Sequence, residues 1–226
     1  QRLLDEEKPE ALCVTFDRRE PTFRHQADAA YKAQRKGMPE ELAMQMLPLK
    51  QVLTAMSIPR YELTGYEADD LIGTISRKCE AAGWDCVIVT GDKDSLQLIT
   101  DHTKVKLVST RMGQTTTKDM TPETFQETYG FAPIHMIDLK ALMGDSSDNI
   151  PGVPGIGEKT AMALVQEYGS IDTLYAQMPD VHAKPAALRK LQEGEESARH
   201  SYWLATIVTD APLEFRPEDN LRQPFK

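Results

Sequence analysis

Three short apolar runs constrain this chain most: ALCVTF (residues 11–16), CVIVT (86–90) and KVKLVS (104–109). Each is rich in β-forming residues and short enough to be a buried strand. Stretches with helical spacing lie between and after them up to about residue 143. Strands alternating with helices predict an α/β layer built on a mostly parallel sheet with flanking helices.

The helical stretches carry their own punctuation. Residues 39–56 have helical spacing, and Pro48 inside them predicts a kink or a division. The helix that follows YEADD stops at Gly83, a suitable C-cap. Thr121 before Pro122 marks another helix start, and PIHMIDLKALMG predicts one more. Beyond Gly144 there is no strand pattern. Helical segments EKTAMALVQEYG, IDTLYAQM, KPAALRKLQEG and ESARHSYWLATIV follow instead. The expected organisation is therefore an α/β domain over 1–144 and a small all-helical domain over 145–226.

Composition narrows the setting. A chain of 226 residues with 40% hydrophobic and 27% charged residues is globular in character and can bury a core. Its longest apolar runs are too short to span a membrane, and no secretory pattern opens it. Cys13, Cys79 and Cys86 have no metal-ligand spacing. Such sparse cysteines point to a reducing, cytoplasmic setting. The net charge of -9 argues against a polyanionic partner, but its distribution argues the other way. Between Arg18 and Lys36, six basic residues (Arg18, Arg19, Arg24, Lys32, Arg35, Lys36) face Glu20 and Asp28, a local balance of +4.

Eight acidic residues sit at junctions between elements. Asp17 follows the first strand, and Asp92 and Asp94 follow the second. Sites in open α/β sheets form outside the carboxyl ends of strands. Glu67, Asp69 and Asp70 open a helix in YEADD, where Glu67 and Asp70 share a face. Asp145 and Asp148 follow a later helix. Taken singly, each group has an ordinary explanation in helix-dipole complementation, turn chemistry or capping. Together they predict a cluster whose mutual repulsion must be neutralised. Hard divalent cations such as Mg²⁺ or Mn²⁺ take oxygen ligands, so the expectation is an all-oxygen site with two ions.

The segment GVPGIGEKT fails two phosphate-binding patterns. Glu158 stands where a P-loop needs lysine, and Thr160 stands where a dinucleotide fingerprint needs its third glycine. What remains is a tight turn into a helix. Its amides, with Lys159, could hold a backbone phosphate, or its glycines could simply supply positive φ between two helices.

VTFD, PTFRHQADAAYKAQR, YEADD, VTGDKDSLQLI and GDSSDNIPGVPGIGEKTA occur in one order along nearly the whole chain. Together these motifs resemble the 5′-nuclease, flap endonuclease-like, domain family of bacterial DNA polymerase I. The resemblance implies a PIN-like α/β domain joined to a helix–hairpin–helix region that binds duplex DNA. It implies that Asp17, Glu67, Asp69, Asp70, Asp92, Asp94, Asp145 and Asp148 form the metal cluster. It places Arg24, Tyr31, Lys32 and Arg35 near the 5′ end of the substrate, with Lys32 and Arg35 assisting Asp70, Asp92 and Asp94 in catalysis. Gly155, Gly157 and Lys159 map to the hairpin, where backbone carbonyls would hold a monovalent cation such as K⁺. The implied partners are DNA with a 5′ flap or 5′ end and RNA primers on DNA. The expected state is a monomer linked covalently to a polymerase domain in the parent protein.

One departure from the family pattern bears on activity. The family begins with a strand ending in a further metal-binding aspartate, and nothing here corresponds to it. The expectation is that the sequence is a fragment, and a DNA-binding module without catalysis is the rival from another class. A second rival comes from CVIVTGDKDS, which resembles the Asp-x-Asp strand end of haloacid-dehalogenase-like phosphatases, where the first aspartate, here Asp92, is a nucleophile. That rival leaves YEADD and the glycine turn unexplained.

Overall fold

The computed structural model describes residues 1–224. In chain order its elements are α1 (Arg2–Glu7), β1 (Val14–Thr15), α2 (Phe23–Ala27), α3 (Glu40–Ala55), β2 (Arg60–Tyr61), α4 (Ala68–Ala81) and β3 (Cys86–Thr90). A 3-10 helix over Lys93–Leu98 leads to β4 (Thr103–Arg111) and β5 (Gln114–Met120). Then come α5 (Pro122–Tyr129), α6 (Met136–Met143), α7 (Glu158–Tyr168), α8 (Ile171–Ala176), α9 (Pro185–Glu193) and α10 (Glu195–Ala205). The elements fall into two compact units. One comprises Gln1–Phe23, Arg35–Trp84 and the segment from Val208 onward; the other comprises Arg24–Gln34 and Asp85–Ile207.

In the first unit β1 pairs with β2 in parallel, with Val14 opposite Arg60 and Thr15 opposite Tyr61. The strand expected over residues 11–16 is thus two residues long, and its partner β2 has too little apolar pattern to be seen in sequence. Helix α4 buries Leu71, Thr74, Ile75 and Cys79, a three-to-four-residue spacing that marks one face. Gly83, just past its C-cap, has φ +80, the left-handed geometry that ends helices. Pro48 does not divide α3, which runs unbroken from Glu40 to Ala55. The carbonyl deprived of a partner is that of Met44, which lies exposed, so water can take the bond.

In the second unit β3 and β4 pair in parallel from Cys86 opposite Thr103 to Thr90 opposite Leu107. Strand β5 returns antiparallel to β4 through a tight turn at Met112 and Gly113, both with positive φ. It carries a polar run, QTTTKDM, so no apolar alternation announced it. The helices after β5 follow the sequence signals. Thr121 accepts a hydrogen bond from the Thr124 amide as N-cap of α5, Pro122 follows it, and Gly130 closes the helix at φ +78. Helix α6 is buried along Met136, Ile137, Leu139, Ala141 and Leu142 and packs on α7 and α10.

Two close approaches fix the loop after α6. A Cβ on Gly152 would lie 2.3 Å from the Gly144 nitrogen, and one on Gly144 would lie 2.7 Å from the Ile150 carbonyl oxygen. Both residues have positive φ. The glycines therefore let two backbone strands of this loop touch. The turn is closed by Asp145 and Ile150, which exchange backbone hydrogen bonds at 2.9 Å in both directions.

Candidate metal centre

Within the second unit, Asp94, Asp145 and Asp148 come together. Each offers a carboxylate oxygen, and these atoms all lie within 4.8 Å of one another. Asp94 is carried by the 3-10 helix after β3, which places it at the strand end as the sequence predicts. Asp145 and Asp148 sit on the loop after α6, and the Asp148 amide donates to the Asp145 carbonyl at 3.3 Å. Asp148 is buried and the other two are half-buried.

A lysine that sequence reading did not single out sits among them. Lys140, on α6, pairs with Asp94 and lies 2.5 Å from Asp145 Oδ2. Asp145 Oδ1 accepts from the Ser147 amide at 2.9 Å and from the Ser147 hydroxyl at 2.6 Å. Burial pushes the Asp145 carboxyl up, but the hydrogen bonds from Lys140 and Ser147 prevail and hold it at about 2. Asp94 goes the other way. Burial raises its carboxyl above the ordinary value of 3.8 against the pull of Lys140. Burial alone would lower the Lys140 ammonium, yet Asp94 and Asp145 raise it above its ordinary 10.5. The buried Asp94 Oδ1 has the ionic contact with Lys140 but no well-directed hydrogen bond.

Three carboxylates whose oxygens lie within 4.8 Å of one another fit a hard divalent cation. Among the described residues this group offers oxygen ligands only. Asp92 is not one of these three, though its charge acts on Asp94. It is exposed and caps the 3-10 helix, its Oδ1 accepting from the Asp94 amide at 2.8 Å.

The first unit gathers its acids at one helix N-terminus. Glu67 and Asp70 form a capping box on α4, with Asp70 Oδ2 accepting from the Glu67 amide at 3.0 Å. Asp17 Oδ1 accepts from the Ala68 amide at 2.8 Å, and Asp69 lies half-buried in the same turn. Asp70 is fully buried, and its Oδ1 accepts from the Val208 amide at 2.9 Å. Both its oxygens therefore accept from backbone N–H groups. The ordinary capping explanation thus accounts for part of YEADD.

Residues 30–34 of the basic segment are docked on the acidic loop of their own unit. The Lys32 amide donates to the Asp148 carbonyl at 2.9 Å. Gln34 Nε2 donates to the Ser146 carbonyl at 2.6 Å, and Asn149 Nδ2 donates to the Ala30 carbonyl at 2.7 Å. Two residues assigned to nucleic acid are placed otherwise. Tyr31 is 4% exposed and packs with Ile150 and Leu204, so its ring is core rather than a stacking platform. Arg24 is 3% exposed and donates to the Leu204 and Thr206 carbonyls at the end of α10. Their signal in sequence, a charge and a ring in a basic run, cannot distinguish a partner inside the fold from one outside. Lys32 is half-buried with its ammonium 5.1 Å from the Tyr31 ring, while Arg35 is exposed. On the hairpin, Gly155, Gly157 and Lys159 are exposed just before and within the first turn of α7.

Comparison with known proteins defines the class. Residues 1–130 match the 5′-3′ exonuclease N-terminal resolvase-like domain, and residues 131–226 match the 5′-3′ exonuclease C-terminal SAM fold. The chain belongs to the 5′-3′ exonuclease family. It is similar to DNA polymerase I of Bacillus subtilis (strain 168), 46% identical over 213 residues, which covers 94% of this chain and 24% of that protein. It is 42% identical over 209 residues to the thermostable DNA polymerase I of Thermus filiformis, covering 92% of this chain and 24% of the relative. The chain thus spans about a quarter of the length of the curated relatives it matches. Among solved structures it resembles T5 5′-exonuclease with bound divalent metal ions (zinc), at TM-score 0.76 and 26% identity over 92% of this chain and 79% of that one. It also resembles the bacteriophage T5 flap endonuclease in a pseudo-enzyme-product complex with DNA and metal ions, at TM-score 0.75 and 25% identity over 92% and 78% of the two chains. No described helix is long and apolar enough to cross a membrane.

Proposed function

We propose that this chain is the metal-dependent 5′-3′ exonuclease and 5′-flap endonuclease unit of a DNA polymerase I. It hydrolyses phosphodiester bonds in DNA bearing a 5′ flap or 5′ end, and removes RNA primers paired to DNA. The observation that carries this reading is the meeting of Asp94, Asp145 and Asp148 within 4.8 Å in a chain of this family.

Asp94, Asp145 and Asp148 would hold a divalent cation, Mg²⁺ or Mn²⁺ by the hardness of their oxygens. A second ion would draw on Asp17, Glu67 and Asp69, the junction acids gathered at the start of α4. When bound, such ions neutralise developing charge and lower the pKa of a water. The chain's own groups do the rest. Lys32 and Arg35 position the 5′ phosphate, and the exposed amides of Gly155 and Gly157 with Lys159 grip a second backbone phosphate. The glycine turn and the carboxylates thus serve one polyanion, the first directly and the second through a metal. We assign the α/β nuclease domain to 1–144 and the helix–hairpin–helix domain to 145–226, with a K⁺ on the hairpin carbonyls and a monomeric state.

A labelled 5′-flap duplex tests this reading. Cleavage with Mg²⁺ that EDTA abolishes is expected, and Asp148→Asn should slow it by at least about 100-fold while leaving flap binding in place. Binding without cleavage by the unaltered chain would make it a DNA-binding module. A phosphoaspartate trapped on Asp92 would make it a phosphatase.

A further inference from the structure

We propose that Lys140 is the resident counter-ion of the acidic cluster, and that a divalent cation must displace its ammonium from Asp94 and Asp145 to bind there. The inference rests on the reading that this cluster binds a divalent metal.

Every well-placed oxygen of Asp145 is already engaged. Oδ2 pairs with Lys140 at 2.5 Å, and Oδ1 accepts twice from Ser147. On Asp94, the buried Oδ1 faces the same ammonium. A cation on Asp94 Oδ1 and Asp145 Oδ2 would lie against the Lys140 ammonium, and two positive charges at contact distance repel, so the lysine must give way. Ser147 is bound to the loop through its own amide, so its contact is fixed with the backbone. Lys140 differs. Its Cα is anchored by the buried neighbours Leu139 and Ala141 on α6, but its charge rides on a flexible four-carbon stem that can swing away. An ammonium is also a point charge with donors alone, so it cannot join a coordination shell. With its side chain 15% exposed, it bridges two of the three mutually repelling carboxylates, Asp94 and Asp145, and so offsets their repulsion. The site is thereby kept in shape, at the expense of affinity.

Mn²⁺ binding to the 226-residue chain, followed by electron paramagnetic resonance, tests this with Lys140→Met and Lys140→Arg. Removing the competing charge should tighten Mn²⁺ binding roughly tenfold in Lys140→Met, while Lys140→Arg, which keeps the charge, should stay within about threefold of the unaltered chain. Without metal, Lys140→Met should melt lower, and Mn²⁺ should raise its melting temperature by more than it raises that of the unaltered chain. Should Lys140→Met not fold, as judged by circular dichroism, Lys140→Gln takes its place with the same expectation. Equal or weaker Mn²⁺ binding in the neutral variants, or equal tightening in Lys140→Arg, would overturn the role of Lys140 alone. No Mn²⁺ binding by the unaltered chain would overturn the metal reading itself.

Discussion

Asp70 Oδ1 accepts the Val208 amide at 2.9 Å, tying the first turn of α4 to a segment 138 residues away. Its other oxygen caps the Glu67 amide, so one buried carboxylate satisfies two part-buried backbone donors. Asp70→Ala leaves both donors unpaired and should lower stability by about 2–4 kcal/mol. Urea unfolding in EDTA measures this without any contribution from metal. An unchanged midpoint would mean that Asp70 is not the structural pin described here.

The glycines of the loop after α6 should not be equivalent. Gly152→Ala drives a methyl group into the Gly144 backbone at a φ of +62, and about 3 kcal/mol or more of stability should be lost. Gly157 has a φ of -89 and nothing within 4 Å of a built Cβ, so Gly157→Ala should fold normally. A fall in flap affinity in Gly157→Ala would then report close approach of a phosphate to that backbone. Thermal melts and flap titrations of the two variants separate the effects.

Asp119 gives the pH prediction. The side-chain hydrogen bond from Lys106 outweighs burial, and with Lys104 it holds the Asp119 carboxyl below its ordinary 3.8. Lys106 is 2.8 Å away and buried, while Asp119 itself is exposed at 42%. A depressed carboxyl contributes stability above its unfolded pKa and loses it as pH falls through the lower folded value. Asp119→Asn should therefore be less stable near neutrality by about 0.5–1 kcal/mol, discounted for solvent screening, and the difference should shrink as the pH is taken below the ordinary carboxylate range. Denaturant unfolding at neutral and acid pH checks it, and a difference that persists in acid would contradict the assignment.

The basic segment should divide by burial. Arg24→Ala should lower stability, because it strips the Leu204 and Thr206 carbonyls of their donor. Lys32→Ala and Arg35→Ala should instead weaken flap binding, each flattening the salt dependence by about one charge. Equal salt slopes in all three variants would remove Lys32 and Arg35 from the interface.

What sequence reading captured was local. Strand ends that fix Asp94, the Thr121–Pro122 start and the Gly83 and Gly130 stops all depend on neighbours a few residues apart. Strand β5 escaped because its threonines alternate no apolar face, and α3 survived Pro48 because its exposed turn leaves the freed carbonyl to water. The long-range partners were illegible for a different reason. Nothing near Arg24 names Leu204, and nothing near Tyr31 names Ile150. Lys140 left one usable trace, a lysine in the last turn of a helix that ends in an acidic loop. Asp92 and Asp94 look alike in GDKD, yet capping draws one outward while the 3-10 turn carries the other toward Asp145 and Asp148.

The most direct test of the central claim is anomalous diffraction from crystals of this chain soaked in Mn²⁺. An ion coordinated directly by Asp94, Asp145 and Asp148, with the Lys140 ammonium moved off Asp94, is the expected result. Mn²⁺ absent from those three carboxylates under saturating soak, with Lys140 still paired to Asp94 and Asp145, would contradict it.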